Sequence, residues 1–193
     1  MEHLSERVSI DRTDDRTSVV ISARLPKGKE AMMIAWFLAW LFCGGYVIYA
    51  RTQMQPGEEL RMYLIVFLAF WAYFAVRIGR AMLWRLKGFE LWRIKNGTLT
   101  LKDSLFGYGK ANDYFVDNIQ KLGLLQVDER AWKWQLNQSF WVIGGERLGF
   151  EHLNKKVVFG KGLNEEEACA LVPMLKHALK QERKRETEEN PNT

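Results

Sequence analysis

The stretch Phe106-Gly107-Tyr108-Gly109-Lys110 holds the raw ingredients of a phosphate loop, glycines that let backbone N–H groups approach an anion and a lysine to meet its charge. The four-residue spacer before Gly-Lys is missing, however. Ala111 stands where Ser or Thr would hold magnesium, and no long helix follows. These glycines therefore read as a turn, as do Gly144-Gly145 and Gly160-Lys161-Gly162. His3, His152 and His177 are too dispersed to ligate a metal. Cys169 follows the acidic start of a helix, a place that activates thiols, but its apolar neighbours favour an inert, buried cysteine. Glu165, Glu166 and Glu167 are successive helical residues, point in different directions and cannot converge on one ion. No Ser/His/Asp or Cys/His spacing is present. The expectation is a protein with no catalytic residue, cofactor or metal, and not an enzyme.

Two features suit binding instead. Trp132-Lys133-Trp134, with Arg130 just before it, would in an extended segment put both indoles on one side and Lys133 on the other. Such aromatic and cationic side chains fit a protein partner or a lipid interface, and equally an aromatic pair packed on the domain's own core. The second feature is the basic set Arg77, Arg80, Arg85 and Lys87, which would contact anionic lipid headgroups or simply set topology.

What positions these residues is legible from composition. The 193 residues hold one domain plus a small module, and 48% apolar content with 13% aromatics excludes wholesale disorder. A net charge of +5 suits a positive-inside topology or anionic lipid and is too mild for nucleic acid. Two Cys exclude a disulfide scaffold.

Ala31 to Ala50 carries no charge, and at 1.5 Å per residue its length matches a hydrocarbon core of about 30 Å. A second apolar run begins at Met62 and extends past Arg77 and Arg80 to about Trp84, the two arginines snorkelling to an interface. Pro56-Gly57 marks the turn between them. Residues 30–86 thus read as a transmembrane helical hairpin (31–50 and about 62–84). The first span starts too far in and runs too long for a signal peptide. Arg16, Arg24, Lys27 and Lys29 before it, and the basic set after the second span, put both termini in the cytoplasm. Ala35, Ala39 and Cys43 in one helix, and Ala72, Ala75 and Gly79 in the other, are spaced for a close-packed seam.

Beyond Lys87 the period changes from 3.6 to 2. Strands are predicted at 89–95, 98–102, 110–115, 122–127, 139–143, 148–153 and 156–159, with Asn96-Gly97 a two-residue hairpin turn and Asn154-Lys155 another turn. One helical turn is predicted within Val116 to Lys121. Together the strands make a small antiparallel sheet, folded as a barrel or sandwich. A helix follows, capped by Asn164, with Ala168, Leu171, Val172, Leu175 and Leu179 as its apolar stripe and Pro173 kinking or splitting it. The domain is bounded at 87–181, and the charged residues 182–193 read as a disordered tail. In the cytoplasmic segment 1–29, Val8 to Asp11 and Ser18 to Leu25 are candidate strands that join the same sheet.

Two membrane helices, strand, NG turn, strand, Gly-rich turn and capping helix resemble the bacterial pleckstrin-homology-like two-span membrane proteins. More narrowly the order is similar to the photosystem I assembly protein family. Gly88-Phe89, Asn96-Gly97, Phe106 to Lys110, Ile119-Gln120 and Leu163-Asn164-Glu165 carry the likeness, over about residues 28 to 180. The resemblance implies a PH-like α+β domain and a non-catalytic, membrane-anchored scaffold or assembly factor. Together these readings lead to the expectation of a protein of the bacterial inner membrane whose partners are subunits of a membrane complex. Anionic lipid headgroups and a second copy of the chain are further partners to consider; nucleic acid is not. Arg130, Trp132, Lys133 and Trp134 are the expected partner-binding set, and a lipid-headgroup sensor is the alternative.

Overall fold

The computed structural model describes residues 2–13, 15–55, 59–126, 130–139 and 142–189. Strands β1 (Glu2–His3), β2 (Val8–Thr13) and β3 (Arg16–Ser22) come first, followed by helices α1 (Lys27–Thr52) and α2 (Glu59–Lys87). Then come β4 (Gly88–Lys95), β5 (Thr98–Leu105), β6 (Ala111–Phe115), a 3-10 turn at Val116–Asn118 and β7 (Ile119–Leu124). The chain continues through α3 (Trp132–Gln138), β8 (Glu146–His152), β9 (Lys155–Lys161) and α4 (Glu165–Glu189). Strands β1 to β6 form one antiparallel sheet in sequence order, and β7 to β9 form a second.

The two helices are inserted between neighbouring strands. β3 pairs with β4 from Thr17↔Ile94 to Ser22↔Phe89, and Ala23 N–H donates to the Gly88 carbonyl at 3.0 Å. The sheet therefore runs on across the insertion, and both ends of the hairpin leave from one place. The N-terminal strands belong to the same sheet as the strands after the hairpin.

Both α1 and α2 are long and apolar enough to cross a membrane. Their apolar side chains point outward: Phe42 is 77% exposed, Tyr63 67% and Val76 67%. A soluble protein would normally bury such a surface. The less exposed positions, Met33, Phe37, Trp40, Gly44 and Val47 of α1 and Leu64, Leu68, Trp71, Ala75 and Ile78 of α2, are spaced by three and four, as on one face of each helix. Trp71 sits on Gly44, where an added Cβ would lie 2.0 Å from its ring, and its Nε1 donates to the Trp40 carbonyl at 3.0 Å. Ala75 and Gly79 lie on this seam, but Ala35, Ala39, Cys43 and Ala72 are exposed. The expected small-residue face of α1 thus points outward, and the close approach is made instead by the Trp71 indole on Gly44 and Phe37 on Gly79.

Both sheets and α4 line one core, built from the inward positions of alternating strands (Val8, Ile10, Val19, Ile21, Trp92, Ile94, Leu99 and Leu101) and from Leu148, Phe150, Phe159, Leu171 and Leu175. Asn164 and Glu167 form a reciprocal cap. Glu167 N–H donates to Asn164 Oδ1 at 2.6 Å and Asn164 N–H to Glu167 Oε2 at 3.0 Å. Pro173 lies inside α4, which continues as one helix to Glu189.

That length corrects the disordered tail over residues 182–189. Glu182 accepts the buried Gly97 N–H at 2.8 Å, and Arg183 donates to the carbonyls of Val116 and Ile119. Polar side chains hold the last turns to the sheet where no apolar stripe announces it. Residues 190–193 lie outside the described residues, as do Pro56-Gly57, Asp14 and Val127.

Three connections are two-residue turns with both central residues at positive φ: Asn96-Gly97 (49° and 67°), Phe106-Gly107 (54° and 85°) and Leu153-Asn154 (49° and 62°). This is the hairpin turn whose twist matches paired strands. The last was expected one residue later. Strand β7 begins at Ile119, earlier than expected, after the 3-10 turn. Ser139, Val142 and Ile143 lie in bends, which corrects the described part of the strand expected at 139–143.

Candidate functional site

The residues of interest collect at the end of the sheets from which the helical hairpin leaves. Strand β4 starts there at Gly88, and β5 returns there, since Gly88 pairs with Leu105. The next two residues form the turn Phe106-Gly107, closed by backbone hydrogen bonds between Leu105 and Tyr108 at 2.8 and 3.0 Å. Phe106 is 56% and Tyr108 84% exposed. An exposed aromatic at positive φ, on a turn pinned by Lys102 Nζ donating to the Gly107 carbonyl, is costly to hold. The turn is thus neither a phosphate loop nor part of the core. It presents two rings beside the base of α2.

Beneath it lies a buried polar knot. Glu90, on β4, is 4% exposed, and its Oε2 accepts the Gly160 and Lys161 N–H groups of β9 at 2.9 and 3.0 Å. One carboxylate oxygen thereby ties the two sheets together. Burial pushes the Glu90 carboxyl up, the Lys161 ammonium and the N–H donors pull part of the way back, and the result is about 7. Lys161 itself pairs with Asp103 and lies 5.7 Å from the centre of the Trp84 ring at the end of α2.

The four basic residues do not form one set. Arg77, Arg80 and Lys87 are exposed, with Arg77 Nη1 donating to the Tyr73 hydroxyl at 3.2 Å. Arg85 turns inward and is 4% exposed. Its Nη2 donates to the Val142 carbonyl at 3.2 Å, which fixes the segment after α3 against the base of α2. Arg85 therefore leaves the exposed basic set in which the sequence placed it, because the last turn of α2 is already packed on the domain.

Around Trp132 the expected extended segment is a helix. Residues two apart on a helix point in nearly opposite directions. Accordingly Trp132 is 66% exposed, while Trp134 turns in and lies 5.3 Å from the Arg147 guanidinium carbon. The two indoles do not share a face. Arg130 is exposed, and the Lys133 side chain lies outside the described residues. Leu136 (51%) and Ile143 (38%) are exposed in the same stretch.

Elsewhere the expected residues are scattered. Cys169 is exposed, correcting the buried reading, because the stripe of α4 passes through Ala168 and Leu171 on the other side. His177 and His3 are exposed, and His152 packs edge-on against Tyr114 at 5.1 Å. Among the described residues no three His, Cys, Asp or Glu side chains are grouped to hold a metal. A groove of about 620 Å³ between β7 and α4 is lined by Lys121, Lys176, Lys180 and Arg183 with Asp117. Arg183 is spent on carbonyls and Lys121 pairs with Glu151 at 2.9 Å.

Sequence reasoning missed Arg7, Glu90 and Trp84. Arg7 and Glu90 are ordinary charged residues of β-rich segments, and only the strand pairing brings them to the base of the helices. No family model matches the chain, and no curated protein or solved structure is significantly similar to it.

Proposed function

We propose that the chain is a non-enzymatic, membrane-anchored scaffold that helps assemble or stabilise a membrane protein complex, with α1 and α2 crossing the bilayer as a hairpin. The supporting observation is the insertion of two outward-apolar helices between paired strands β3 and β4. If the helices cross, the N-terminal strands and the domain must lie on one side, as a continuous sheet cannot straddle a bilayer. The flanking charges put that side in the cytoplasm, which fits a bacterial inner-membrane protein. α2 passes into β4 without a linker, so the domain is held at a defined height and anchoring concentrates it toward membrane partners. Trp132 and Leu136, exposed on α3, supply an apolar contact for such a partner. The PH-like, assembly-factor resemblance belongs to this reading.

Purification from native membranes in mild detergent tests it. A specific set of co-purifying membrane subunits, lost on Trp132→Ala, is expected. Purification of bare monomer with no partner affected by the substitution would contradict it. The second reading, lipid-headgroup recognition, is favoured by the Phe106-Tyr108 turn at the same end.

A further inference from the structure

Arg7 and Arg85 meet although one precedes β2 and the other ends α2. A Cβ built on Gly162 would lie 2.9 Å from Arg85 Nη1 and 3.2 Å from Arg7 Nη2, so these nitrogens are no further apart than the two distances laid end to end, about 6 Å. Arg7 spends Nε and Nη2 on the Ser22 carbonyl, each at 3.3 Å. Arg85 spends only Nη2, and its Nε is buried with no partner.

Among the described residues neither arginine pairs with a carboxylate. Three carboxylates at this end are otherwise engaged: Glu90 with the β9 N–H groups, Asp103 with Lys161, and Glu167 with Ser5 Oγ and the Asn164 N–H. Two neighbouring guanidinium forks, one of them buried, with donors left over and no carboxylate paired to them among the described residues, match the geometry that grips a tetrahedral oxyanion. Both tips press on Gly162, where a side chain would displace them, and Arg7 is partly exposed, so the pair is reachable from outside.

We propose that Arg7 and Arg85 bind a phosphate-type oxyanion at the Gly162 corner, at the base of the helical hairpin. The phosphate of an anionic lipid headgroup and free inorganic phosphate share this chemistry. Only the lipid source rests on the membrane reading; the site itself does not.

The test uses the full chain in nonionic detergent, followed by thermal unfolding. One arm titrates inorganic phosphate against chloride at matched ionic strength, and the other adds phosphatidylglycerol to the micelles and counts retained lipid by native mass spectrometry. The wild type should be stabilised in at least one arm, and Arg7→Gln should need about tenfold more anion for the same shift. Arg85→Lys, which keeps the charge and loses the fork, should fall between them. Response to phosphate alone assigns a free ion, and response to the lipid alone assigns a headgroup. If neither anion shifts the wild type, or if Arg7→Gln responds like it, the proposal is overturned. Arg7 is partly exposed, so this variant decides even where Arg85→Gln does not fold. A chain that responds to phosphate yet washes off membranes would sink the membrane reading and leave the site standing.

Discussion

Ser22 and Phe89 face each other across neighbouring antiparallel strands, although the whole helical hairpin lies between them in sequence. The sheet thus treats the hairpin as a loop. Replacing residues 24–87 by a two-residue Asn-Gly turn should leave a folded, soluble domain, since the Ala23 N–H already donates to the Gly88 carbonyl. Gel filtration and circular dichroism check this. An aggregated or unfolded product would mean that the sheet depends on the helices.

Glu90 should make stability depend on pH in an unusual direction. Its folded-state value, about 7, lies above the ordinary carboxyl value of 4.5, so the folded state holds the proton more tightly than the unfolded one. The resulting stability is full below about pH 4.5 and is lost as pH rises through 7, a loss of order 3 kcal/mol. Glu90→Gln keeps an acceptor for the Gly160 and Lys161 N–H groups and removes the titration. Thermal unfolding of the wild type between pH 5 and 8 should slope downward, and that slope should flatten in the variant.

The end of α4 is expected to bear on stability. Glu182→Ala strips the buried Gly97 N–H of its acceptor, at about 1–3 kcal/mol. Gly97→Ala should also destabilise, because φ is +67° there, a conformation that a side chain strains. Denaturant unfolding measures both, and wild-type midpoints would show that these turns are dispensable.

Much of this architecture was legible beforehand because its signals are local. An uncharged run of helical length, Asn96-Gly97 between alternating strands, and Asn164 before three glutamates each act within a few residues. What escaped depends on distant partners. The tail past Gln181 reads as a solvated charge run, yet Glu182 and Arg183 find backbone groups of a turn and a strand far away. Trp132-Lys133-Trp134 alternates like a strand, but the Ala, Gln and Leu around it are sound helix formers and a helix prevails. The cluster of Arg7, Arg85, Glu90 and Lys161 has no sequence signature at all, since strand pairing alone gathers it.

The aromatic turn should contribute to lipid contact. On the hairpin-deleted domain, Phe106→Ser with Tyr108→Ser should reduce co-sedimentation with anionic vesicles several-fold and leave the fold unchanged, because both rings are mostly exposed and outside the core. Equal sedimentation of variant and parent would place the lipid-facing surface elsewhere.

Alkaline carbonate extraction of membranes from cells making the full chain bears most directly on the proposed anchor. The account requires the protein to stay in the pellet, with tags at both ends shielded from protease until the cells are opened. Release into the supernatant, or cleavage of either tag in intact cells, would contradict it.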